Sequence, residues 1–123
     1  MTPEERHAFA ARALPAVLAT VDAKGRAHAV PVIYLYENGE FVVITDRGSQ
    51  KHRNAERTGR AALRIDDRAR FQTATAEGAV RVIDPITYEL RLRLHTHYRG
   101  EEAALKATAD GGHERMVALV IAP

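Results

Sequence analysis

The chain has 123 residues, of which 46% are hydrophobic and 28% are charged, and this size predicts one domain spanning residues 1–123. It contains no cysteine, which excludes disulfides, thiol catalysis and cysteine-ligated metal centres. No apolar run approaches the roughly 20 residues that a membrane-spanning helix needs, and residues 1–14 lack the apolar stretch of a signal peptide. We therefore expect a cytoplasmic protein with no membrane partner.

The net charge of +2 is unevenly distributed along the chain. Between Arg47 and Arg70 there are eight basic and three acidic residues, a local charge of +5, so the remainder carries −3. This basic block has three possible explanations. It binds a phosphorylated small molecule, it binds a nucleic acid, or it is simply a solvated surface. Only 6% of residues are aromatic, tryptophan is absent and Phe71 is the one aromatic residue near the block, so nucleic-acid stacking is not expected.

A short helix and three strands are predicted for the first 45 residues. The helix spans Pro3–Leu14, with Thr2 as its N-cap and Pro15 ending it. Turn signals at Asp22–Gly25 and Asn38-Gly39 then separate three strand-like segments, which are Val17–Val21, Arg26–Tyr36 and Phe41–Thr45.

The second of these strands is apolar on both faces. Val30, Val32 and Tyr34 lie on one side, and Ile33 and Leu35 on the other. The internal proline at position 31 removes one donor from the hydrogen-bond ladder. The segment therefore predicts a strand inside a barrel or at an interface, approached at its proline by something other than a strand.

The second half of the sequence predicts three helices and three more strands. The first helix spans Ser49–Thr58, with Ser49 as cap and Gly59 at its end. The second starts at Asp84-Pro85 and runs to about Gly100, although its centre also alternates like a strand. The third helix covers Glu101–Ala109, and the strands are Arg60–Asp66, Phe71–Ile83 with a bend or bulge at Gly78, and Met116–Ile121. The whole pattern predicts a mainly β fold, a six-stranded antiparallel barrel with helical insertions.

The junction from Thr45 to Asn54 carries the clearest chemical signal. A strand ends, Gly48 makes a turn, and a helix begins with Ser49 and Lys51 in its first turn. Free N–H groups and the positive helix end favour an anion there, and the hydroxyl and ammonium add charge-assisted hydrogen bonds. The same pattern is also typical of an ordinary serine cap with exposed basic side chains.

Several segments together resemble the pyridoxamine 5′-phosphate oxidase-like family of flavin- and deazaflavin-binding split barrels. They run in order over about residues 14 to 100 and comprise His28-Ala29-Val30-Pro31-Val32, Ile44-Thr45, Gly48-Ser49-Gln50-Lys51, Asn54 and Glu77-Gly78. The Gly-Ser-Gln-Lys-x-x-Asn form is similar to the actinobacterial branch that uses the deazaflavin coenzyme F420. That branch includes biliverdin-reductase-like members.

The resemblance implies a split-barrel homodimer with two cofactors in grooves between subunits. It assigns phosphate binding to Ser49 and Lys51 with help from Thr45, and ring contact to Val30, Pro31 and Val32. Gln72 would reach the cofactor from the other subunit. Arg47, Gln50 and Asn54 are further cofactor-binding candidates.

The resemblance also implies hydride transfer between F420 and a small conjugated or tetrapyrrole-like substrate. FMN is the alternative cofactor, and a non-catalytic flavin- or haem-type binder is the alternative class. Arg93-Leu94-His95 only superficially matches the substrate motif of true pyridoxamine phosphate oxidases, so that reaction is not expected. His95 and His97 lack a third ligand, so no metal site is predicted, and no catalytic side chain emerges from spacing alone.

Overall fold

The computed structural model describes residues 1–123 and contains seven strands, four α-helices and a short 3₁₀ turn at Gly112–Arg115. The elements are α1 (Pro3–Ala10), β1 (Ala16–Val21), β2 (Ala27–Val32), β3 (Leu35–Glu37), β4 (Glu40–Asp46), α2 (Gln50–Thr58), β5 (Arg60–Asp67), β6 (Gln72–Ile83), α3 (Tyr88–Arg99), α4 (Glu101–Ala107) and β7 (Met116–Ala122). All strand pairs are antiparallel, in the order β2-β1-β5-β6-β7-β4-β3. None of the helices combines the length and the apolar character that a membrane-spanning helix requires.

The mainly β split-barrel class is confirmed, but the strand count of six is wrong, because the predicted strand Arg26–Tyr36 is divided. It breaks at Ile33 and Tyr34 into β2, which pairs with β1, and β3, which pairs with β4. The break follows from Tyr34, whose side chain is fully buried and donates its hydroxyl to the carbonyl of Arg12 at 3.0 Å. Since β2 and β3 are the two edges of the sheet and only two residues apart, the sheet curls into a barrel.

Three helix boundaries differ from the prediction, the smallest difference being the end of α4 at Ala107 rather than Ala109. The first helix ends at Ala10 rather than Leu14, because the carbonyls of Arg12 and Leu14 accept hydrogen bonds from the Tyr34 and Tyr98 hydroxyls. The helix predicted from Asp84-Pro85 begins at Tyr88 instead, capped by Thr87, whose side chain accepts from the N–H of Leu90. The strand-like alternation of Arg91-Leu92-Arg93-Leu94 does not produce a strand: the buried residues of α3 are Arg91 and Leu94, whose spacing of three is that of one helix face.

Gly78 marks the corner of the barrel rather than a bulge. The ladder between β5 and β6 runs without interruption from Asp67↔Gln72 to Arg60↔Ala79, and β6 pairs with β7 from Ala79 onward. A Cβ on Gly78 would lie 2.0 Å from the carbonyl oxygen of Ala122. Glycine therefore allows the final strand to approach β6 closely where the pairing changes.

The core fills the barrel and is closed by helices. Leu18, Val43, Leu63, Leu119 and Ile121 are fully buried inside it. α2 contacts β1, β4, β5, β6 and β7. α1 contributes two core residues, Phe9 and Ala10. A second cluster holds α3 and the loop before it against the outside of β3, β4 and β7, through Leu94 of the helix and Ile86 of the loop.

Candidate functional site

The predicted corner between β4 and α2 is built by a tight turn and a serine cap. Gly48 has φ of +82°, a conformation that suits glycine, and the N–H of Ser49 donates to the carbonyl of Asp46 at 3.1 Å. The side chain of Ser49 then accepts from the N–H of His52 at 3.3 Å. The predicted N-cap is therefore confirmed.

Polar groups converge on this corner and retain free hydrogen-bonding capacity. Thr45, buried at the end of β4, places its Oγ1 3.0 Å from the Oγ of Ser49. No hydrogen bond within the chain takes up the N–H of Gln50 or Lys51. Lys51 is half-buried and forms no ion pair. Two backbone donors, a hydroxyl and an unpaired ammonium at a helix N-terminus are the donor set that a phosphate group requires.

His52 braces the turn from inside the helix. Its Nδ1 accepts from the N–H of Gly48 at 2.9 Å, and its Nε2 lies 2.8 Å from Oε2 of Glu56. Since Nδ1 accepts, Nε2 carries the proton and donates to Glu56. The ring is largely buried, since His52 is 8% exposed.

Arg47 is occupied by partners of its own. Its Nε lies 2.9 Å and 3.0 Å from the two carboxylate oxygens of Asp84, and its Nη2 donates to the carbonyl of Glu114 at 3.1 Å. The hydrogen bond from Arg47 lowers the pKa of Asp84 below its usual range. Arg47 thus ties the turn to the loop after β6 and to the segment before β7.

The side-chain amides of Gln50 and Asn54 also form hydrogen bonds within the chain. Nε2 of Gln50 donates to Oδ1 of Asn54 at 2.6 Å, while Oε1 of Gln50 accepts from Arg53 at 2.7 Å. Nδ2 of the buried Asn54 donates to Oγ1 of Thr20 at 3.1 Å. This chain of bonds fixes α2 against β1, so both amides act to position the helix.

The three ring-contact candidates lie on β2, at one edge of the sheet. Val30 and Val32 are half-buried and face the barrel, whereas Pro31 is exposed on the outer face. The same strand is linked to α2 through Thr20, which stands opposite His28 in register and binds Asn54. β3 covers the edge of β4 only as far as Val42, which leaves residues 43–46 of that edge without a strand partner on this side.

Gln72 lies apart from the other candidates within one chain. It is the exposed first residue of β6, paired with Asp67, whereas the opposite end of β6 leads to Asp84 beside Arg47. β6 has 12 residues and spans about 40 Å, so Gln72 is far from the corner of its own chain.

The contacts that sequence reasoning missed come from distant positions. Thr20, Asp84 and Glu114 all anchor the corner, and none is near it in sequence. Only the fold brings these groups together, although the strand-to-helix pattern located the corner itself. No group of three or more His, Asp or Glu side chains is arranged to hold a metal ion.

The comparisons with known proteins agree with this architecture. The family model described as pyridoxamine 5′-phosphate oxidase matches residues 2–121. No functionally curated protein matches the sequence.

Solved structures show the same fold at low sequence identity. An F420 reductase is 20% identical with a TM-score of 0.81, over 95% of this chain and 91% of that one. The conserved hypothetical protein Rv2991 from Mycobacterium tuberculosis is 23% identical with a TM-score of 0.79, over 98% and 79% of the two chains. HutZ, a heme storage protein from Vibrio cholerae, is 16% identical with a TM-score of 0.69, over 98% and 89%.

Proposed function

Because the chain belongs to the pyridoxamine 5′-phosphate oxidase family, we propose that it is an F420-dependent oxidoreductase acting on a small conjugated or tetrapyrrole-like substrate. The observation that carries the proposal is the corner at Ser49 and Lys51, where an unpaired ammonium lies next to free helix N–H groups. That donor set fits the phosphate of a deazaflavin or flavin coenzyme. The similarity to an F420 reductase structure favours the deazaflavin.

The residues of the corner would have different roles in binding the coenzyme. Lys51 and the N–H groups of Gln50 and Lys51 bind the phosphate, and Ser49 donates its hydroxyl to it. Thr45 holds the Ser49 oxygen, while Arg47 and His52 keep the turn in shape. Val30, Pro31 and Val32 provide an apolar strand for the ring, and Gln72 of a second subunit approaches it from the other side.

The coenzyme supplies the redox chemistry, which for a deazaflavin is two-electron hydride transfer because carbon replaces the reactive ring nitrogen of flavin. The protein then has to orient the ring and exclude water. It needs no acid or base of its own for the hydride step.

Two alternatives make different predictions. FMN carries one phosphate and would satisfy the same corner. A non-catalytic binder is the second candidate, favoured by the similarity to the heme storage protein.

Titration of the purified protein with F420, FMN and haem, followed by turnover assays with reduced F420, tests the proposal. We expect tight F420 binding and substrate-dependent loss of the reduced form. Tighter binding of FMN than of F420 would identify FMN as the cofactor. Binding of any of these ligands without turnover over a broad substrate panel would support the non-catalytic binder.

A further inference from the structure

The wall of the barrel has a gap that α1 covers. β7 pairs with β6 only from Ala79 onward, so the preceding part of β6, Gln72–Gly78, is bonded to β5 alone. The hairpin of β3 and β4 stands on the other side of this gap. α1 lies over the gap and buries Phe9 and Ala10 beneath it. A helix therefore closes the wall here in place of a strand.

A cavity of about 310 Å³ remains between α1 and the barrel, and we call it the α1 cavity. Phe41 and Ile65 form its inner wall and are only 6% and 1% exposed, so the cavity reaches the core. The space arises from β6. Ala74 stands opposite Ile65 and Ala76 opposite Leu63, so both alanines face the core, yet each side chain is a single methyl group. The volume is roughly that of ten waters in the liquid, which is enough for a compound with one or two aromatic rings.

One wall of the α1 cavity is a row of three rings. The ring centroids of Tyr36 and Phe41 are 4.8 Å apart, with the planes inclined by 44°. The ring of His7 continues the row, 5.7 Å from that of Tyr36. On the β6 side the cavity is bounded by the methyl groups of Ala74 and Ala76. A slot between aromatic rings and methyl groups suits a flat aromatic ligand, which gains edge and face contacts there.

The mouth of the cavity carries hydrogen-bond donors with no acid beside them. Nδ1 of His7 is hydrogen-bonded to the hydroxyl of Tyr36. With that hydroxyl as the donor, Nε2 of His7 carries the ring proton, and no group of the chain accepts it. The guanidinium of Arg6 lines the same mouth and takes part in no hydrogen bond or ion pair. Since none of the lining side chains is acidic, the mouth favours an anion, and a carboxylate matches the fork of a guanidinium.

We propose that the α1 cavity is a binding site for a small aromatic carboxylate. The ring enters the slot, and the carboxylate stays at the mouth on Arg6 and Nε2 of His7. An apolar pocket with a few convergent polar groups is the usual form of a small-molecule site. The cavity borders β4 at Phe41, whereas the coenzyme corner begins at Thr45, about 14 Å further along the strand. The site is therefore separate from the corner, and the proposal does not depend on the proposed function.

The test uses 2-naphthoate as the probe and its uncharged amide, 2-naphthamide, as the matched compound. Because the protein has no tryptophan, naphthalene emission reports binding directly. We expect saturable binding of the acid, at least about tenfold tighter than binding of the amide. In ¹⁵N-labelled protein the shifted amide signals should centre on Gly39, Ala74 and Ala76. Shifts centred on Gly48 and Lys51, or binding that does not saturate, would overturn the proposal.

Arg6→Gln separates the contribution of the mouth from that of the slot. It should weaken 2-naphthoate binding about 10- to 100-fold, the effect of losing hydrogen bonds to a charged group, and leave 2-naphthamide binding unchanged. The control is Lys24→Gln, which removes an exposed charge from the turn between β1 and β2 and should affect neither compound. Unchanged binding of the acid by Arg6→Gln, or an equal loss in the control, would refute the role of the mouth.

Ala74→Leu tests the slot by filling it. Binding of both naphthalene compounds should fall by at least about tenfold, because the added side chain occupies the volume of the ring. Ala74→Val fills less of the cavity and should cause an intermediate loss, which also provides the measurement if the leucine variant does not fold. The control is Thr73→Val on the exposed face of the same strand, which should bind as wild type does. Thermal melts establish that each variant is folded, and undiminished binding by a folded Ala74 variant would contradict the proposal.

Discussion

The hydroxyls of Thr45 and Ser49 lie 3.0 Å apart across the turn that joins β4 to α2. The Ser49 oxygen also accepts from the N–H of His52, so when Thr45 donates to it, Ser49 keeps its own proton for an external acceptor. With Thr45 as the donor, a buried threonine fixes the direction of a serine hydroxyl at a helix N-terminus. This arrangement, together with the free ammonium of Lys51, is the basis of the predictions about binding.

Lys51→Ala is expected to weaken F420 or FMN binding by about 1.5–3 kcal/mol, the contribution of a hydrogen bond to a charged group. Lys51 has no partner in the chain, so its removal should leave stability nearly unchanged. Isothermal titration calorimetry measures the affinity, and Lys106→Ala, on exposed α4, is the control. Equal affinities for Lys51→Ala and wild type would remove Lys51 from the site.

Arg47 and Asp84 should behave as a coupled pair that positions the turn. Arg47→Gln and Asp84→Asn should each weaken cofactor binding less than Lys51→Ala does, because Arg47 is already paired with the carboxylate. Each change breaks the same contact, so the double variant should resemble either single variant. Additive losses in this cycle would indicate that Arg47 contacts the phosphate directly.

Gly78→Ala should destabilise the protein by about 1–3 kcal/mol through overpacking. The new Cβ would lie 2.0 Å from the carbonyl of Ala122, a backbone atom that cannot rotate away. Urea unfolding measures the change, with Ala79→Ser at the neighbouring exposed position as the control. A Gly78→Ala variant as stable as wild type would mean that β7 shifts freely, against the register described for β6 and β7.

Asp110 should contribute stability that disappears in acid. Hydrogen bonds, first from the buried Arg91 and then from the N–H of Gly112, lower the pKa of Asp110 to about 2. A lowered carboxyl pKa stabilises the fold above the ordinary value near 3.8, and that contribution is lost as the pH falls toward 2. The stability gap between wild type and Asp110→Asn should therefore be constant at neutral pH and close between about pH 4 and pH 2. Thermal melts across this range measure the gap, and one that widens with acidification would contradict the assignment.

Local signals in the sequence predicted most of the fold. Ser49 and Gly59 bound α2 as expected, because capping depends on neighbouring residues, and the Asn38-Gly39 turn joins β3 to β4. The break at Tyr34 was missed because it depends on burial beneath Arg12 and contact with Tyr98, which lie far away in sequence. The start of α3 was missed for a similar reason, since Asp84 pairs with Arg47 instead of capping the helix.

The candidate site, like the fold, was predicted from the sequence only where the signal is local. A hydroxyl and an ammonium after a glycine turn are visible as a motif, and the structure brings Thr45 and Ser49 together. The internal bonds of Arg47 and Asn54 were not visible, because their partners Asp84 and Thr20 come from other elements, whereas Gln50 bonds to Asn54 one helical turn away. Arg47, Gln50 and Asn54, which the resemblance offers as cofactor contacts, stay predictions in that role, and each already has a hydrogen-bond partner within the chain.

The central claim is that the corner at Ser49 and Lys51 binds a coenzyme through its phosphate, and one comparison of affinities tests it. Dissociation constants of F420 and of the deazaflavin riboside without phosphate are measured for wild type and for Lys51→Ala. We predict that wild type strongly prefers the phosphorylated coenzyme and that Lys51→Ala loses most of this preference. Equal affinities of wild type for the two compounds would contradict the account.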